Sequence, residues 1–323
     1  MAIQKTLVKS LVRLSQRIPQ FRARGSYSGM HRLKGNVDPR FAKSELEFQD
    51  HESFLANLPR SVFEDSLHGQ TVLDFGSGYG GRTVWLAQVA EHVEGVEVME
   101  HRVDISAEYA QHRRRPNVRF SLGDQSRINF PDDHFDTVVT LDVLEHVDHP
   151  DLILNEFYRV LKPGGTVIAI FTPWLGMFSH HLNYITLLPA LHWFFDTQQI
   201  VEAVNELLES EDAFKSLNIS RQPDAPWSFN RRRRCLPTVN GMTKPEYLRL
   251  LRKAHLQLAY CRATPILEKW QFLGRLGSWL NRCLTLLPVA DEMFSSNLVT
   301  LSTKPKTGGI AHPTGRRLAG QAA

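Results

Sequence analysis

An acidic residue stands just ahead of a glycine-rich turn in the first third of the chain. Asp74 lies in an apolar run that begins at Thr71, and the turn that follows contains Gly76, Gly78 and Gly80. Glycine lets a backbone pass close to a ligand, because a side chain there would collide with it. A carboxylate beside such a turn repels a pyrophosphate and attracts a cationic, amine-bearing ligand. These residues therefore predict a site for a ligand without phosphates.

A second acidic residue stands where it could bind ribose hydroxyls. His92–Val98 has the pattern of a strand, and Glu97 falls at its C-terminal end. An acid at this place in a strand–helix–strand unit can accept hydrogen bonds from both ribose hydroxyls of an adenosine. The alternative is an ordinary solvent-facing strand end, which the neighbouring glycine turn makes the weaker interpretation.

The elements that must position these residues alternate between strands and helices. Arg82–Ala90 and Asp151–Leu161 have helical spacing of their apolar residues. This alternation predicts a doubly wound parallel sheet that binds its ligand at the carboxyl ends of the strands. The runs with strand character are Thr71–Phe75, His92–Val98, Val118–Leu122, Phe135–Leu141, Thr166–Phe171, Leu256–Arg262 and Asn297–Thr303.

Five motifs between Val72 and Thr172 resemble those of the class I S-adenosylmethionine-dependent methyltransferases, in particular small-molecule enzymes of the type 11 group. In order, the motifs are VLDFGSGYGG, GVEV, SLGD, FDTVVTLDVLEHV and VLKPGGTVIAI. The resemblance implies an α/β fold with a doubly wound, Rossmann-like sheet of seven strands. That sheet is mostly parallel with an antiparallel last strand, and we expect a helical cap inserted after strand five.

The resemblance also assigns cofactor-binding roles. Gly76 and Gly78 would let the turn approach the methionine part of S-adenosylmethionine, with Asp74 near its amino group. Glu97 would bind the ribose hydroxyls. The remaining assignments are Asp124 with Gln125 at the adenine amino group, and Asp142 at the start of the segment that flanks cofactor and substrate.

Methyl transfer requires mainly that the nucleophile is oriented and that water is excluded. A hydroxyl acceptor would also benefit from a general base, and His146 is the nearby candidate. In the alternative interpretation, Glu145 and His146 only shape the segment that follows strand four.

A metal site is a further hypothesis. Asp142, Glu145 and His146 form a D-x-x-E-H cluster, and His180 and His181 follow strand five. The arrangement resembles the E-x-x-E-H motif of 2′-O-methyltransferases that act on small-RNA 3′ ends and use a divalent metal. Here the first acid is the shorter aspartate, and the histidine pair could simply belong to a substrate lid. We therefore expect S-adenosylmethionine as the cofactor and no firm metal site, with Glu145, His146, His180 and His181 as the candidate ligands.

The N-terminal arm, residues 1–43, is basic and has no acidic residue before Asp38. Its apolar residues recur at helical spacing, and three interpretations remain open. The arm could be a helix packed on the domain, an interfacial helix that brings residues 1–18 to anionic lipid, or an organelle transit peptide. The predicted apolar stripe consists of Ile3, Leu7, Leu11, Leu14 and Ile18, and Val8 and Val12 widen it.

The rest of the chain divides into a core (44–172), a helical cap that would form a substrate lid (173–242), the last part of the sheet with an inserted helix (243–304) and a disordered tail (305–323). Aromatic residues in the cap favour an apolar or planar acceptor. The arginine run at 231–234 could instead contact RNA, with Trp227 and Phe229 as stacking partners. A net charge of +4 is too small to indicate a nucleic-acid binder.

These observations predict a methyltransferase that modifies an oxygen of an apolar, lipid-like or natural-product-type small molecule. The alternatives are an RNA methyltransferase and an inactive S-adenosylmethionine-binding partner protein. Three scattered cysteines without a Cys-x-x-Cys pair favour a reducing compartment, so we expect a cytoplasmic protein, with membrane association and organelle targeting left open. The longest apolar run, 184–195, is shorter than the roughly 20 residues that cross a bilayer.

Overall fold

A seven-stranded sheet forms the centre of the computed structural model, which describes residues 2–19, 21–22, 33–50, 66–124, 126–182, 185–215, 239–265 and 289–306. Its order is β3-β2-β1-β4-β5-β7-β6, with β1 to β5 parallel and β7 antiparallel to both of its neighbours. The predicted sheet is confirmed. The strands are β1 (Thr71–Phe75), β2 (His92–Glu97), β3 (Val118–Leu122), β4 (Phe135–Leu141), β5 (Leu161–Phe171), β6 (Gln257–Pro265) and β7 (Ser295–Thr303).

Ten α-helices accompany the sheet in the described residues. They are α1 (Ala2–Ser15), α2 (Ala42–Gln49), α3 (Gly81–Leu86), α4 (Glu100–His112), α5 (Pro150–Val160), α6 (Leu191–Phe194), α7 (Thr197–Ser210), α8 (Asp212–Lys215), α9 (Lys244–Lys253) and α10 (Ala290–Met293). Local sequence explains several boundaries. At α9, for example, the Thr243 side chain accepts the N–H of Glu246, and Pro245 occupies the first turn.

Both faces of the sheet are covered by apolar residues, as a parallel sheet requires. Side chains alternate along each strand, so Leu73 and Val138 face one core while Val72 and Val139 face the other. Helices α5 and α9 cover the first face, and α3 and α4 cover the second. This arrangement leaves the ends of the strands as the place where loops can build a site.

The N-terminal arm forms a helix that packs on the cap. Val8 and Val12 are fully buried in a third apolar cluster, together with Ile200 and Val204 of α7. On the same side of α1, the Nζ atoms of Lys5 and Lys9 lie 2.6 and 2.7 Å from the carboxylate of Glu206, and Arg13 pairs with Glu211 at 2.7 Å. Of the three interpretations, the packed helix is the one that this structure contains, and its basic residues face acidic ones.

Only part of the predicted apolar stripe is the buried face of α1. Val8 and Val12, which widen the stripe, are buried, whereas Ile3, Leu7 and Leu14 are 84%, 49% and 50% exposed. The physical reason is that Val8 and Val12 pack against apolar residues of α7, while Lys5 and Lys9 lie beside Glu206. No helix in the described ranges combines the length and the apolar character needed to cross a membrane.

Replacing Val12 with alanine should lower the free energy of unfolding by about 2 kcal/mol, because the change removes two buried methyl groups and leaves a cavity. Leu7→Ala is the matched control on the same helix, and its half-exposed side chain should cost about 0.5 kcal/mol or less. Urea unfolding of both variants checks this. A larger loss for Leu7→Ala would mean that the part of the stripe with Ile3, Leu7 and Leu14, and not the part with Val8 and Val12, packs on the protein.

Candidate functional site

The glycine turn between β1 and α3 adopts a backbone that only glycine enters easily. Gly76, Gly78 and Gly80 have φ values of +82°, +60° and +78°. The N–H groups of Gly76 and Ser77 both donate to the carbonyl oxygen of Val96 on β2, at 2.8 and 3.1 Å. The turn therefore lies at the carboxyl end of β1, which is the strand where the order of the sheet reverses.

At each of these three glycines, an added Cβ would come within 3.0 Å of a neighbouring segment. A Cβ on Gly76 would lie 2.2 Å from Cγ2 of Val143, which follows β4. A Cβ on Gly78 would lie 2.9 Å from Oε1 of Glu47 on α2. The turn is thus a cradle between α2 and the segment after β4, and its shape depends on the missing side chains.

Glu97 ends β2 and ties the cradle to that strand. Its Oε2 accepts the N–H of Gly78 at 3.0 Å, and its Oε1 accepts those of Val98 and Met99 at 2.9 and 3.2 Å. Arg102 approaches the same carboxylate at 3.6 Å. The side chain is buried and stands at the strand end, where the sequence places it. Its role toward ribose remains a prediction.

Asp74 is buried at the carboxyl end of β1. Its Oδ2 accepts the hydroxyl of Thr83 on α3 at 2.6 Å. Burial raises the pKa of Asp74 to about 6, and the nearby Glu97 adds to the increase, whereas Thr83 and Arg82 oppose it. This carboxylate therefore anchors the first turn of α3 and contributes negative charge below the cradle.

A third carboxylate, that of Glu47, contacts the cradle from α2. Its Oε1 accepts the N–H of Tyr79 at 3.2 Å, and its Oε2 accepts the N–H of Gly81 at 3.1 Å. Burial raises the pKa of Glu47 to about 7. The sequence analysis missed this residue, because it lies 27 positions before Asp74 and no local motif marks it.

Helix α2 is held in place by contacts to α4. The Tyr109 hydroxyl donates to Glu45 at 2.6 Å, and the guanidinium of Arg113 lies 3.9 Å from the centre of the Phe48 ring. These contacts make the position of Glu47 a fixed part of the site. With Asp74 and Glu97 on the other sides, the cradle is lined by three acidic groups, an arrangement that favours a cationic ligand over a phosphate.

Asp124 and Asp142 occupy two further positions that the sequence singles out. Asp124 is exposed, and its Oδ1 accepts the N–H groups of Ser126 and Arg127 and the Ser126 hydroxyl, which lowers its pKa. Asp142 has a φ of +57° and lies 3.8 Å from Arg82. Gln125 lies outside the described residues. The adenine role of Asp124 and the flanking role of Asp142 remain predictions.

Beyond β4, Glu145, His146 and His181 come together, with one ligand atom of each within 4.8 Å of the others. Glu145 is buried, which raises its pKa, and the neighbouring Asp142 adds to the increase. The imidazole rings of His146 and His181 lie 4.9 Å apart. Two elements that are distant along the chain therefore supply one cluster.

His180, the fourth candidate ligand, does not join this cluster in the structure. Its Nδ1 accepts the N–H of Leu182 at 3.1 Å, and its Nε2 then donates to the carbonyl oxygen of Leu188 at 2.9 Å. Both ring nitrogens are used by the cap backbone. Burial, together with the nearby His192, lowers the pKa of His180 to about 3, so the side chain is a neutral structural group.

Comparisons with known proteins agree with this geometry. Residues 73–169 match the family model described as a methyltransferase domain. Phosphoethanolamine N-methyltransferase 2 of Caenorhabditis elegans is 32% identical over 107 residues, which are 33% of this chain and 24% of that protein. A sterol 24-C-methyltransferase of Neurospora crassa is 34% identical over 97 residues, which are 29% of this chain and 26% of that protein.

Among solved structures, an S-adenosylmethionine dependent methyltransferase from Mesorhizobium loti has a TM-score of 0.48 at 12% identity, covering 78% of this chain and 97% of that one. The sequence matches to the two curated relatives cover 107 and 97 residues. This chain spans about a quarter of the length of those relatives.

Proposed function

We propose that this chain is an enzyme that transfers a methyl group from S-adenosylmethionine to a small-molecule acceptor, because its residues 73–169 form a class I S-adenosylmethionine-dependent methyltransferase domain. The observation that carries the proposal is the acidic glycine cradle at the carboxyl ends of β1 and β2. S-adenosylmethionine combines a sulfonium and an ammonium cation with a ribose, and the cradle offers space without side chains and three carboxylates.

The residues present fit this cofactor. Gly76 and Gly78 give the turn its left-handed backbone beside Val143 and Glu47, and Glu97 presents a carboxylate at the strand end where ribose hydroxyls can donate to it. Asp74 and Glu47 supply negative charge near the turn. Bound S-adenosylmethionine supplies a methyl group activated by the adjacent positively charged sulfur.

We assign the acceptor to the side of the site formed by the segment after β4 and the cap. In the metal-free site, His146 is the residue that we propose as the general base for an acceptor hydroxyl. The hydroxyl proton would pass to the imidazole while the acceptor oxygen forms its bond to the methyl carbon and the carbon–sulfur bond breaks. The partly buried aromatic rings of the cap support an apolar acceptor, with ring centres of Trp174 and His192 only 4.7 Å apart.

Titration calorimetry tests the function directly. Wild-type protein should bind S-adenosylmethionine and its demethylated product with one ligand per chain, and acceptor screening with labelled cofactor should follow. If a folded sample binds neither ligand, the proposed function is wrong.

The same titration should depend on pH. Burial raises the pKa of Glu47 to about 7 and of Asp74 to about 6, so both groups are partly protonated near neutral pH in the ligand-free protein. A cationic ligand stabilises the ionised carboxylates, so its binding releases protons. Affinity should therefore rise about tenfold between about pH 5 and about pH 8 and then level off.

In the ligand-free protein, the raised pKa values of Glu47 and Asp74 make the free energy of unfolding fall with rising pH, opposite to the effect on affinity. The folded state binds more protons than the unfolded chain between about pH 4 and about pH 7, so the free energy of unfolding should fall as the pH rises through that range.

Adenosine is the control ligand for the pH dependence of binding, because it has neither cationic group and should bind with little pH dependence. An equal pH dependence for adenosine and S-adenosylmethionine would contradict the assignment of Glu47 and Asp74 to the cationic part.

A further inference from the structure

The cluster of Glu145, His146 and His181 has the composition of a metal site. One carboxylate oxygen and two imidazole nitrogens lie within 4.8 Å of one another. Around a tetrahedral ion at a metal–ligand distance of about 2.1 Å, ligand atoms are about 3.4 Å apart, so small side-chain rotations would complete the set. We propose that these three residues bind a divalent transition-metal ion such as Zn²⁺, Mn²⁺ or Fe²⁺.

A carboxylate oxygen of Glu145 that is unpaired within the described residues is an independent observation that indicates a bound cation. Glu145 is only 4% exposed, and its Oε1 accepts the N–H of Thr172 at 3.3 Å. Its other oxygen, Oε2, is buried and has no hydrogen-bond partner in the part of the chain that the structure describes. A buried carboxylate oxygen without a donor is unfavourable, and a cation beside it would remove that penalty.

The backbone that carries the three ligands is held by groups outside the cluster. Asn240 donates through Nδ2 to the carbonyl oxygens of Leu144 and Val147, at 2.7 and 2.9 Å, and through its backbone N–H to that of Glu145 at 2.7 Å. The turn bearing Glu145 and His146 is therefore fixed on both sides. Such support is what keeps metal ligands in place before the ion arrives.

His181 is positioned by its neighbour. Both ring nitrogens of His180 are bonded to the cap backbone, and His181 itself has a left-handed φ of +53°. That conformation is uncommon for a residue with a side chain, and it sends two consecutive histidines into different surroundings. His181 reaches the cluster after β4, whereas His180 stays within the cap.

The donor set selects the class of metal. Mg²⁺ and Ca²⁺ prefer oxygen ligands, whereas two imidazoles with one carboxylate suit transition metals. Three protein ligands also leave a coordination position for water or an acceptor oxygen. This part of the inference rests on the proposed function: an ion here would lower the pKa of a coordinated acceptor hydroxyl, whose proton would pass to solvent. His146 would then hold the ion and would not act as the base.

The test is metal binding by the untagged full chain without S-adenosylmethionine. Zn²⁺ affinity is measured by competition with a chromophoric chelator, and the Co²⁺ absorption spectrum reports the coordination geometry. We expect one tightly bound ion per chain, and a loss of affinity of about 10- to 100-fold in His181→Ala and in Glu145→Gln. His101→Ala is the matched control, because it removes an exposed histidine from α4 and should leave the affinity unchanged.

S-adenosylmethionine titrations of the same samples show that each variant is folded, and they keep the two proposals separate. If wild-type protein and His181→Ala bind Zn²⁺ equally, or if His101→Ala loses as much affinity as His181→Ala, the metal site is refuted even where the cofactor binds. Tight, His181-dependent Zn²⁺ binding by a protein that fails to bind S-adenosylmethionine would support the metal site and overturn only the proposed function.

Discussion

Glu97→Gln is expected to weaken S-adenosylmethionine binding about 100-fold, which corresponds to about 2.7 kcal/mol. Two hydrogen bonds from ribose hydroxyls to a buried carboxylate are charge-assisted, and each contributes on the order of 1.5 kcal/mol or more. Glutamine keeps the size of the side chain but removes its charge. It also turns one acceptor oxygen into a donor, which then opposes the N–H groups of Gly78, Val98 or Met99.

Glu94→Gln is the matched control for this experiment. Glu94 lies on the same strand, is similarly buried (8% exposed against 5% for Glu97) and pairs with His92 at 2.7 Å, away from the carboxyl end. Calorimetry should therefore give this variant an affinity within about twofold of the wild type. Equal weakening by both substitutions would show that loss of any buried charge on β2 disturbs the site, and that Glu97 has no special role toward the ligand.

Gly76→Ala is expected to lower the free energy of unfolding by about 3 kcal/mol and to abolish cofactor binding. A residue with a side chain in the left-handed region costs about 1–2 kcal/mol, and the added methyl group would lie 2.2 Å from Cγ2 of Val143. Relief of that contact requires the turn or the segment after β4 to move. Either movement changes the cradle. Urea unfolding measures the stability, and titration measures the binding.

Two further variants separate the cost of the left-handed backbone at position 76 from the cost of the steric conflict with Val143. Gly69 has a similar φ of +70°, but a Cβ there would meet nothing within 4 Å, so Gly69→Ala should cost only about 1–2 kcal/mol. Combining Gly76→Ala with Val143→Ala removes the methyl groups in conflict and should recover about 1 kcal/mol relative to the sum of the single changes. Strictly additive costs would mean that Val143 is not what excludes a side chain at position 76.

The parallel part of the sheet and the glycine turn were accessible from the sequence because their causes are local. A strand such as Phe135–Leu141 has apolar residues on both of its faces since both faces are covered, and helix α9 begins where Thr243 can cap it. The turn needs left-handed backbone at Gly76, Gly78 and Gly80, a demand that the residue types themselves reveal. The place of Glu97 follows from the same strand–turn–helix unit.

The position of Glu47 and the buried face of α1 depended on contacts between distant segments. Glu47 reaches the cradle only because α2 is held against α4 by Tyr109 and Arg113, and nothing near Glu47 in the sequence records that packing. The packing of the N-terminal arm likewise could not be predicted from nearby sequence. The apolar spacing of the arm predicts a helix correctly, but Val8 and Val12 are the buried part of the stripe because they pack on the apolar residues of α7, a helix almost 200 residues away.

The two histidines after strand five show most directly what the sequence decides and what the tertiary structure decides. As a sequence, His180 and His181 are equivalent, since both follow β5 and both can ligate a metal. In the folded chain, the cap backbone takes both nitrogens of His180, while a left-handed turn directs His181 to Glu145 and His146. The sequence by itself thus determined the sheet and the glycine turn, because these follow from local periodicity and conformational preference. Only the tertiary structure decided which polar side chains share a site, because hydrogen-bond partners from remote segments set their directions.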